Sequence, residues 1–242
     1  MNRHFLPICC LLSLAVQSFL HGDWPRWRGV QGDGTWNGPE ICRVLLTAGL
    51  KGVWKTKVFP NYSGITIQDG PLYSMDRPNS EEGNGMERIL CLNASTGVMV
   101  WSFSYPVHYG DMECGKGPRS SATVEEGRVF TLRVRGHPLA FNSQTGENIG
   151  MRDHHQLTPS ERNPQASIVW PEQEVGDALA LNAYGELVFI NLVKEGYTEY
   201  RRDQVVGKTW AHPAYSNNRV FSRDDKSVVC HEIPLARKSL RK

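Results

Sequence analysis

A strand–turn–strand unit occurs twice in tandem in this 242-residue chain and returns in an altered form near its end. The first copy, Ser63–Tyr73, matches Ser120–Phe130 in its order of small, β-branched and turn-forming residues. Each copy is followed by a second matching segment, Leu90–Gly97 in the first and Leu139–Gly146 in the second. A repeat of roughly 40–50 residues that carries short strands is typical of propeller blades or of a solenoid.

Each repeat contains four strand-like runs separated by polar turns. In the first copy the runs are Ile65–Ile67, Leu72–Met75, Ile89–Leu92 and Val98–Trp101. The first two flank an Asp-Gly step, which reaches positive φ easily and marks a hairpin, and an Asn-led turn precedes the last run. Four strands predict a blade from about Trp54 to Trp101, with the tryptophan closing the outer strand.

Beyond Gly150 the repeat loses its register. Residues 151–173 contain three prolines and no strand alternation, whereas 178–190 and 214–233 again show strands and hairpin turns, and no segment has convincing helical periodicity. We therefore predict an all-β fold, a partial or small β-propeller of four-stranded antiparallel blades. The predicted divisions are a signal peptide at 1–22, an N-terminal segment at 23–50, two blades at 51–150, an irregular junction at 151–175, two further partial blades at 176–235 and a basic tail at 236–242.

The first 22 residues have the composition of a secretory leader. Arg3 and His4 precede an almost wholly apolar run over Phe5–Leu20, and the chain turns polar directly afterwards. The run is short for a membrane span, so we predict export to the periplasm or the outside of the cell, with an uncleaved anchor as the alternative. Without Arg3 and the four basic residues of the tail the net charge is near −3, which argues against a nucleic-acid partner. The tail is typical of a solvated terminus, with contact to an acidic lipid or partner as the alternative.

Four cysteines remain after the leader: Cys42, Cys91, Cys114 and Cys230. Export would permit disulfides, but four cysteines allow three pairings, and the sequence leaves the choice open. Cys91 and Cys230 occupy matching places in their repeats, which indicates a small apolar residue on a buried strand.

Side chains that could bind metal occur together at two places, without the spacing of a known site. His108, Asp111, Met112 and Cys114 lie close in sequence, as do Asp153–His155, but neither group fits a zinc pattern. We predict loops at both places and assign no catalytic or metal-binding residue.

Two further residue patterns have an ordinary structural explanation. Asn61 and Asn93 each begin an Asn-x-Ser glycosylation pattern, and Asn93 is better explained as a turn residue. Large aromatic residues recur near strand or blade boundaries, which favours packing between blades, with a stacking platform for a sugar or quinone ring as the alternative. These residues are Trp54, Trp101, Trp170 and Trp210.

The Asp-Gly hairpin, the Asn-Ala-x-Thr-Gly turn and the closing Trp together resemble the pyrroloquinoline-quinone-type repeat. Asp23–Gly29 and Gly32–Gly34 resemble the start of exported bacterial proteins of that superfamily, and Tyr109–Asp111 and Gly117–Arg119 resemble the start of their second blade. Such propellers usually close with about eight blades, whereas this chain has room for four or five at roughly 40–45 residues each. It is therefore identified as a shortened relative that lacks central blades.

The resemblance implies pyrroloquinoline quinone and calcium as cofactors by family analogy only. Quinone-dependent dehydrogenases of the superfamily use a vicinal disulfide, a Trp platform and Glu, Asn and Asp ligands to calcium. The adjacent cysteines of this chain, Cys9 and Cys10, lie in the leader, and no segment matches the calcium-ligand motif. We therefore predict a non-catalytic binding or scaffold module.

Other interpretations remain open at this point. The chain could be a quinone-dependent oxidoreductase of the alcohol or sugar dehydrogenase type, or a degenerate truncated relative without activity. A partial ring exposes strand edges and blade faces, so the chain is expected to form a homodimer that completes the ring, to close as a smaller propeller, or to fold poorly. Its ligand would be an unknown protein or small molecule, with envelope assembly as a further alternative.

Overall fold

The computed structural model describes residues 22–36, 38–39, 41–42, 49–79, 84–109, 117–133, 138–149, 167–169, 176–193 and 196–235. Throughout these residues the secondary structure consists of strands, turns and bends without any helix, so the predicted all-β class is confirmed. It follows that no described helix is long and apolar enough to cross a membrane. The leader through residue 21 and the tail at 236–242 lie outside the described residues.

The strands form four antiparallel sheets, which we call blades 1 to 4. Blade 1 contains β2 (Thr66–Ile67), β3 (Pro71–Asn79), β4 (Asn84–Asn93) and β5 (Met99–His108). Blade 2 contains β6 (Thr123–Glu125), β7 (Arg128–Leu132) and β8 (Pro138–Asn142). Blade 3 contains β9 (Ser167–Val169), β10 (Gly176–Leu181), β11 (Glu186–Val193) and β12 (Gly196–Gln204). Blade 4 contains β13 (Ala214–Ser216), β14 (Arg219–Arg223), β15 (Ser227–Glu232) and, as its outer strand, β1 (Gly52–Lys57). Blades 1, 3 and 4 therefore have the predicted four strands.

The outer strand of blade 4 is β1, which precedes blade 1 in the sequence. β1 pairs with β15 over a register that joins Trp54 to Cys230 and Lys57 to Ser227. The predicted first blade begins at about Trp54, and this boundary is wrong, because the strand that carries Trp54 is the outer strand of blade 4. The pairing unites residues far apart in sequence, and local strand and turn patterns carry no signal of such a partner.

Strand lengths also differ from the sequence pattern in two places. β5 continues to His108 instead of ending at Trp101, since its alternation of buried and exposed residues persists beyond the tryptophan. β9 lies within 151–175, where the prolines hide any alternation, and pairs with β10. The hairpin turns are as expected, with positive φ at Asp69, Glu126 and Asn217.

Two clusters of buried side chains establish the spatial order of the blades. The first joins blades 3, 4 and 1 through residues such as Phe189, Phe221 and Leu72. The second joins blades 1 and 2, where Tyr73 packs with Phe141. Leu72 and Tyr73 are neighbours on β3 and point to opposite faces of blade 1, as a strand requires. Blade 1 therefore lies between blades 4 and 2, and the spatial order is 3-4-1-2.

The same contact occurs at two of the junctions between neighbouring blades. In each, a tryptophan of one blade packs on a turn of the next blade. Trp54 of blade 4 donates its indole N–H to the carbonyl of Ala94 in blade 1, at 2.9 Å, and its ring lies against Gly97. The turn carries glycine at this point because a Cβ would lie 2.5 Å from the ring and φ is +72°. A bulge in β1, between Gly52 and Trp54, directs the tryptophan to this position.

The N-terminal segment 22–36 covers the edges of the innermost strands. Trp24 exchanges both backbone hydrogen bonds with Ile67 of β2, at 2.8 and 2.9 Å. The amide of Val124 in β6 donates to Pro25, at 2.8 Å, and the Trp24 ring meets Tyr215 of β13 edge-on. The segment thus satisfies backbone groups at an inner edge that a partial ring would otherwise leave unpaired.

Candidate functional site

The innermost strands of three blades bring equivalent residues to one end of the fold. Tyr62, Arg119 and Trp210 each lie seven residues before a turn residue with positive φ. The turn residues are Asp69, Glu126 and Asn217, in the same order. Because the strands β2, β6 and β13 are neighbours, these three side chains, one from each of blades 1, 2 and 4, converge where the inner strands begin.

Their side chains form a row in which cations flank two aromatic rings. Lys208 Nζ lies 4.8 Å from the ring centre of Trp210, and the Trp210 and Tyr62 ring centres are 6.0 Å apart. The guanidinium carbon of Arg119 lies 5.4 Å from the ring centre of Tyr62. Lys208 is exposed and the other three are half-buried. We call these four residues the inner-strand cluster.

A second set of equivalent residues supports the cluster from beneath. Gly64, Ser121 and His212 each stand five residues before their turns. The Gly64 amide donates to Ser121 Oγ at 3.2 Å, and the next amide donates to the His212 carbonyl at 3.3 Å. A Cβ on Gly64 would lie 2.5 Å from Ser121 Oγ, so glycine permits the close approach of the inner strands.

His212, in this second set of residues, is a buried histidine whose pKa is changed by its surroundings. Its ring meets Trp27 edge-on, with ring centres 5.2 Å apart. Burial lowers the pKa of His212 to about 4, with a smaller contribution from the charge of Arg28. The side chain is therefore neutral at pH 7 and adds no positive charge to the inner-strand cluster.

A buried arginine joins blades 4 and 1 near the same end. Arg223 is 1% exposed and donates from Nη1 to Ser74 Oγ and to the Met75 carbonyl, at 2.8 and 2.9 Å. Its Nη2 donates to the carbonyl of Phe59 at 3.1 Å. Burial lowers the pKa of Arg223 to about 10, so the group stays charged at pH 7. The contacts tie blade 4 to the start of blade 1.

The buried carboxylates of blade 1 are held by protein donors. Asp76 accepts two bonds from Arg88, at 3.0 and 2.8 Å, and one from the Phe59 amide at 3.1 Å. Glu87 accepts the hydroxyls of Tyr105 and Tyr109, at 2.6 and 3.0 Å. Burial raises the pKa of both tyrosines, which therefore stay protonated as donors.

These contacts decide whether the calcium and quinone implied by the family resemblance could be held. Asp76 and Glu87 are already bonded to protein donors, and Asp224 accepts three backbone amides. Across the described ranges, no group of three or more His, Cys, Asp or Glu side chains could hold a metal ion. The described residues do not fit a calcium–quinone centre, although the cations of the cluster suit an anionic ring compound.

The residues singled out from the sequence are spread over the fold. His108 is exposed at the end of β5, whereas Asp111, Met112, Cys114, Asp153–His155 and Trp170 lie outside the described residues. Trp54 and Trp101 pack between blades as expected, while Trp210 belongs to the cluster.

The cysteines and the glycosylation patterns are explained by packing and turns. Cys91 and Cys230 are fully buried free thiols, as their matching places in the repeat predict, and burial raises both pKa values to about 12. Asn61 is buried and donates to the Phe59 carbonyl, which leaves it inaccessible to glycosylation. Asn93 is exposed and accepts two amides of its own turn.

Sequence reasoning did not find the inner-strand cluster. Tyr62 and Arg119 each stand directly before their copy of the repeat, and Trp210 stands at the same distance from the third hairpin turn. Extending the alignment by one residue towards the N-terminus would have brought Tyr62 and Arg119 together.

The solved structures of three known proteins are similar to this chain. No protein family model and no curated protein sequence matches the chain. A europium-containing methanol dehydrogenase is 10% identical with a TM-score of 0.40, covering 75% of this chain and 31% of its own. BamB from Moraxella catarrhalis is 17% identical with a TM-score of 0.24, covering 76% of this chain and 62% of its own. A quinohemoprotein alcohol dehydrogenase from Pseudomonas putida is 14% identical with a TM-score of 0.37, covering 84% of this chain and 34% of its own. This chain thus spans about a third of the length of each dehydrogenase and less than two thirds of the length of BamB.

Proposed function

We propose that this chain is an exported, non-catalytic binding module that uses the inner-strand cluster to hold an anionic ligand with a flat ring. The proposal rests on one observation, the convergence of Tyr62, Arg119 and Trp210 from equivalent positions of three blades. A rigid frame that directs equivalent loops to one end is a common way to build a binding surface. Export is supported by the apolar leader sequence.

The chemistry of the cluster supports this class of ligand. Half-buried Trp and Tyr rings offer stacking area at a low cost in conformational entropy. Lys208 and Arg119 stand at the two ends of the row, so a planar compound with a negative group at each end would meet a cation at both. His212 below the cluster is neutral at pH 7, so the attraction comes from these two side chains.

A titration of the full chain with anthraquinone-2,6-disulfonate tests the proposal, because this probe is flat and carries a sulfonate at each end. We expect saturable binding that weakens roughly tenfold in Lys208→Ala, since a charge-assisted contact is lost. Lys226→Ala is the matched control, an exposed lysine on the turn between β14 and β15, and should bind the probe as the wild type does.

The result also separates the alternative functions. Binding that is absent in the wild type, or equal in Lys208→Ala and the wild type, would refute the proposed site. The oxidoreductase alternative predicts that pyrroloquinoline quinone with calcium raises the melting temperature and supports alcohol or sugar oxidation. A stabilising effect of quinone that does not depend on calcium would support the binding module.

A further inference from the structure

The outer strand β5 forms one edge of blade 1. It ends the sheet order β2-β3-β4-β5 and, in the described part of the chain, its ladder is made with β4 alone. The pairing with β4 is regular from Trp101 to His108 and is interrupted by a bulge at Val100. An edge strand presents a row of backbone N–H and C=O groups to any further strand that approaches it.

Matching bulges align β5 with β1 and β12, the outer strands of blades 4 and 3. In each strand one residue is left out of the pairing directly before the side chain that faces the next blade. These pairs of residues are Val53–Trp54 in β1, Val100–Trp101 in β5 and Tyr200–Arg201 in β12. Ser102 of β5 is therefore equivalent to Lys55 of β1 and to Arg202 of β12.

The edge of β5 lacks the charges that the other two outer strands carry. Ser102, Lys55 and Arg202 are all exposed, so the same surface position is charged in two blades and neutral in blade 1. No Asp, Glu, Lys or Arg occurs between Val98 and Val107, and most of these residues favour strands. Charged side chains on an edge strand oppose its pairing with other chains, so β5 is the unprotected edge of the three.

Three consecutive apolar side chains are exposed at the start of this edge. Val98, Met99 and Val100 are 63%, 39% and 54% exposed. The matching residues of β12 are Thr198, Glu199 and Tyr200. A group of exposed apolar side chains is typical of a surface that contacts another protein.

The other end of the edge is covered by blade 2. Arg133 donates from Nη2 to the carbonyl of Pro106 at 2.8 Å, and its guanidinium carbon lies 4.7 Å from the ring centre of Tyr105. Pro106 also has no N–H to donate to a further strand. The segment that can accept a partner strand is therefore Val98–Ser104.

We propose that β5 pairs with β5 of a second copy of this chain, antiparallel and around a two-fold axis. Pairing a strand with its own copy brings like residues close together across the axis, so a strand with exposed like charges would repel its copy. Val98–Ser104 is uncharged and pairs without that cost, and the second copy covers the exposed apolar side chains. Because each copy contributes its one unprotected edge, assembly stops at the dimer.

This dimer differs from one that completes the ring, in which the outer faces of blades 2 and 3 would meet. It also does not depend on ligand binding at the inner-strand cluster, because β5 lies at the outer side of blade 1 and the cluster is carried by the inner strands.

Light scattering behind size exclusion tests the proposal on the full chain at about 1 to 100 μM, the range suited to a small interface. We expect the wild type to be a dimer at the upper end of this range. Ser102→Lys/Ser104→Lys gives β5 the residues that β1 has at the matching positions, and should raise the dissociation constant of the dimer roughly tenfold or more. Gln144→Lys/Thr198→Lys is the matched control, with the same added charge at exposed positions outside β5, and should dimerise as the wild type does.

Hydrogen exchange of the wild type keeps the test decisive if the β5 variant does not fold. The amides of β5 should exchange more slowly at the high concentration than at the low one, whereas those of β12 should exchange equally at both. A wild type that is monomeric over the whole range would overturn the proposal. So would assembly beyond a dimer, a dimer that folded Ser102→Lys/Ser104→Lys leaves unweakened, or exchange in β5 that does not depend on concentration.

Discussion

The indole N–H of Trp101 in blade 1 donates a hydrogen bond of 2.9 Å to the carbonyl of Ser143 in blade 2. The ring lies against Gly146 in the same turn, as Trp54 lies against Gly97 one junction earlier. A propeller blade buries its faces only against its neighbours, so such junctions carry much of the stability of the fold.

Gly146→Ala should lower the free energy of unfolding by about 2–4 kcal/mol, because φ is +72° and the new Cβ would lie 2.5 Å from the Trp101 ring. Urea unfolding followed by circular dichroism measures the change. Gly127→Ala is the matched control, with φ of +71° and its nearest neighbour 3.9 Å away, and should lose only about 1–2 kcal/mol. Equal losses in the two variants would contradict the packing of Trp101 on the turn.

Arg223→Leu should destabilise the fold by about 3–5 kcal/mol. The substitution removes a buried cation and leaves Ser74 Oγ and the Met75 and Phe59 carbonyls without their donor. Thermal and urea unfolding would both report the loss. Arg202→Leu, at an exposed position, should change stability by less than about 1 kcal/mol, and a similar loss there would refute the special role of Arg223.

Stability should fall as the pH drops from 6.5 towards 4 because His212 is buried as a neutral group. Its pKa is lowered from 6.5 in the unfolded chain to about 4 in the folded protein, so in this window the unfolded state binds more protons and acid favours unfolding. The contribution is on the order of 3 kcal/mol and is fully present above pH 6.5. Urea unfolding at about pH 7 and about pH 5 should therefore differ by about 2 kcal/mol from this group, the larger part of its contribution.

His212→Gln should reduce that pH dependence. His231 contributes in the same direction, since burial lowers its pKa as well, so part of the slope will remain. A slope unchanged by His212→Gln would show that this histidine is not buried in the folded protein.

Alkaline titration should leave four buried tyrosines protonated until the protein unfolds. Burial raises the pKa of each of Tyr73, Tyr105, Tyr109 and Tyr215 well above the usual range. Tyrosinate absorbance should therefore rise in two stages, the second together with the loss of the circular dichroism signal. Tyr105→Phe should reduce the second stage by one residue. Ionisation of these four tyrosines before the circular dichroism signal is lost would contradict the buried positions.

Short-range features of the fold were predictable from the sequence. The Asp-Gly step at Asp69 and the matching Glu126-Gly127 require positive φ, and the structure has it at both. The matching positions of Cys91 and Cys230 likewise predict two buried thiols. In each case the local conformation or burial depends on residues only a few positions away in the sequence.

The remaining features depend on long-range contacts. Nothing near Trp54 in the sequence indicates that its strand pairs with β15, and the edge that Trp24 covers exists only after the inner strands have assembled. The inner-strand cluster shows the same limit, because Trp210 meets Tyr62 and Arg119 only after the inner strands of three blades have assembled.

The pairing of β1 with β15 also constrains the order in which the chain can fold. Most strands have a partner nearby in the sequence, but Lys57 pairs with Ser227, which is synthesised 170 residues later. Closing so long a loop is slow, and it follows the formation of the local hairpins. Blade 4 therefore gains its outer strand only after β15 has been synthesised, and a chain interrupted before β15 would retain β1 as an unpaired strand that could pair with other chains.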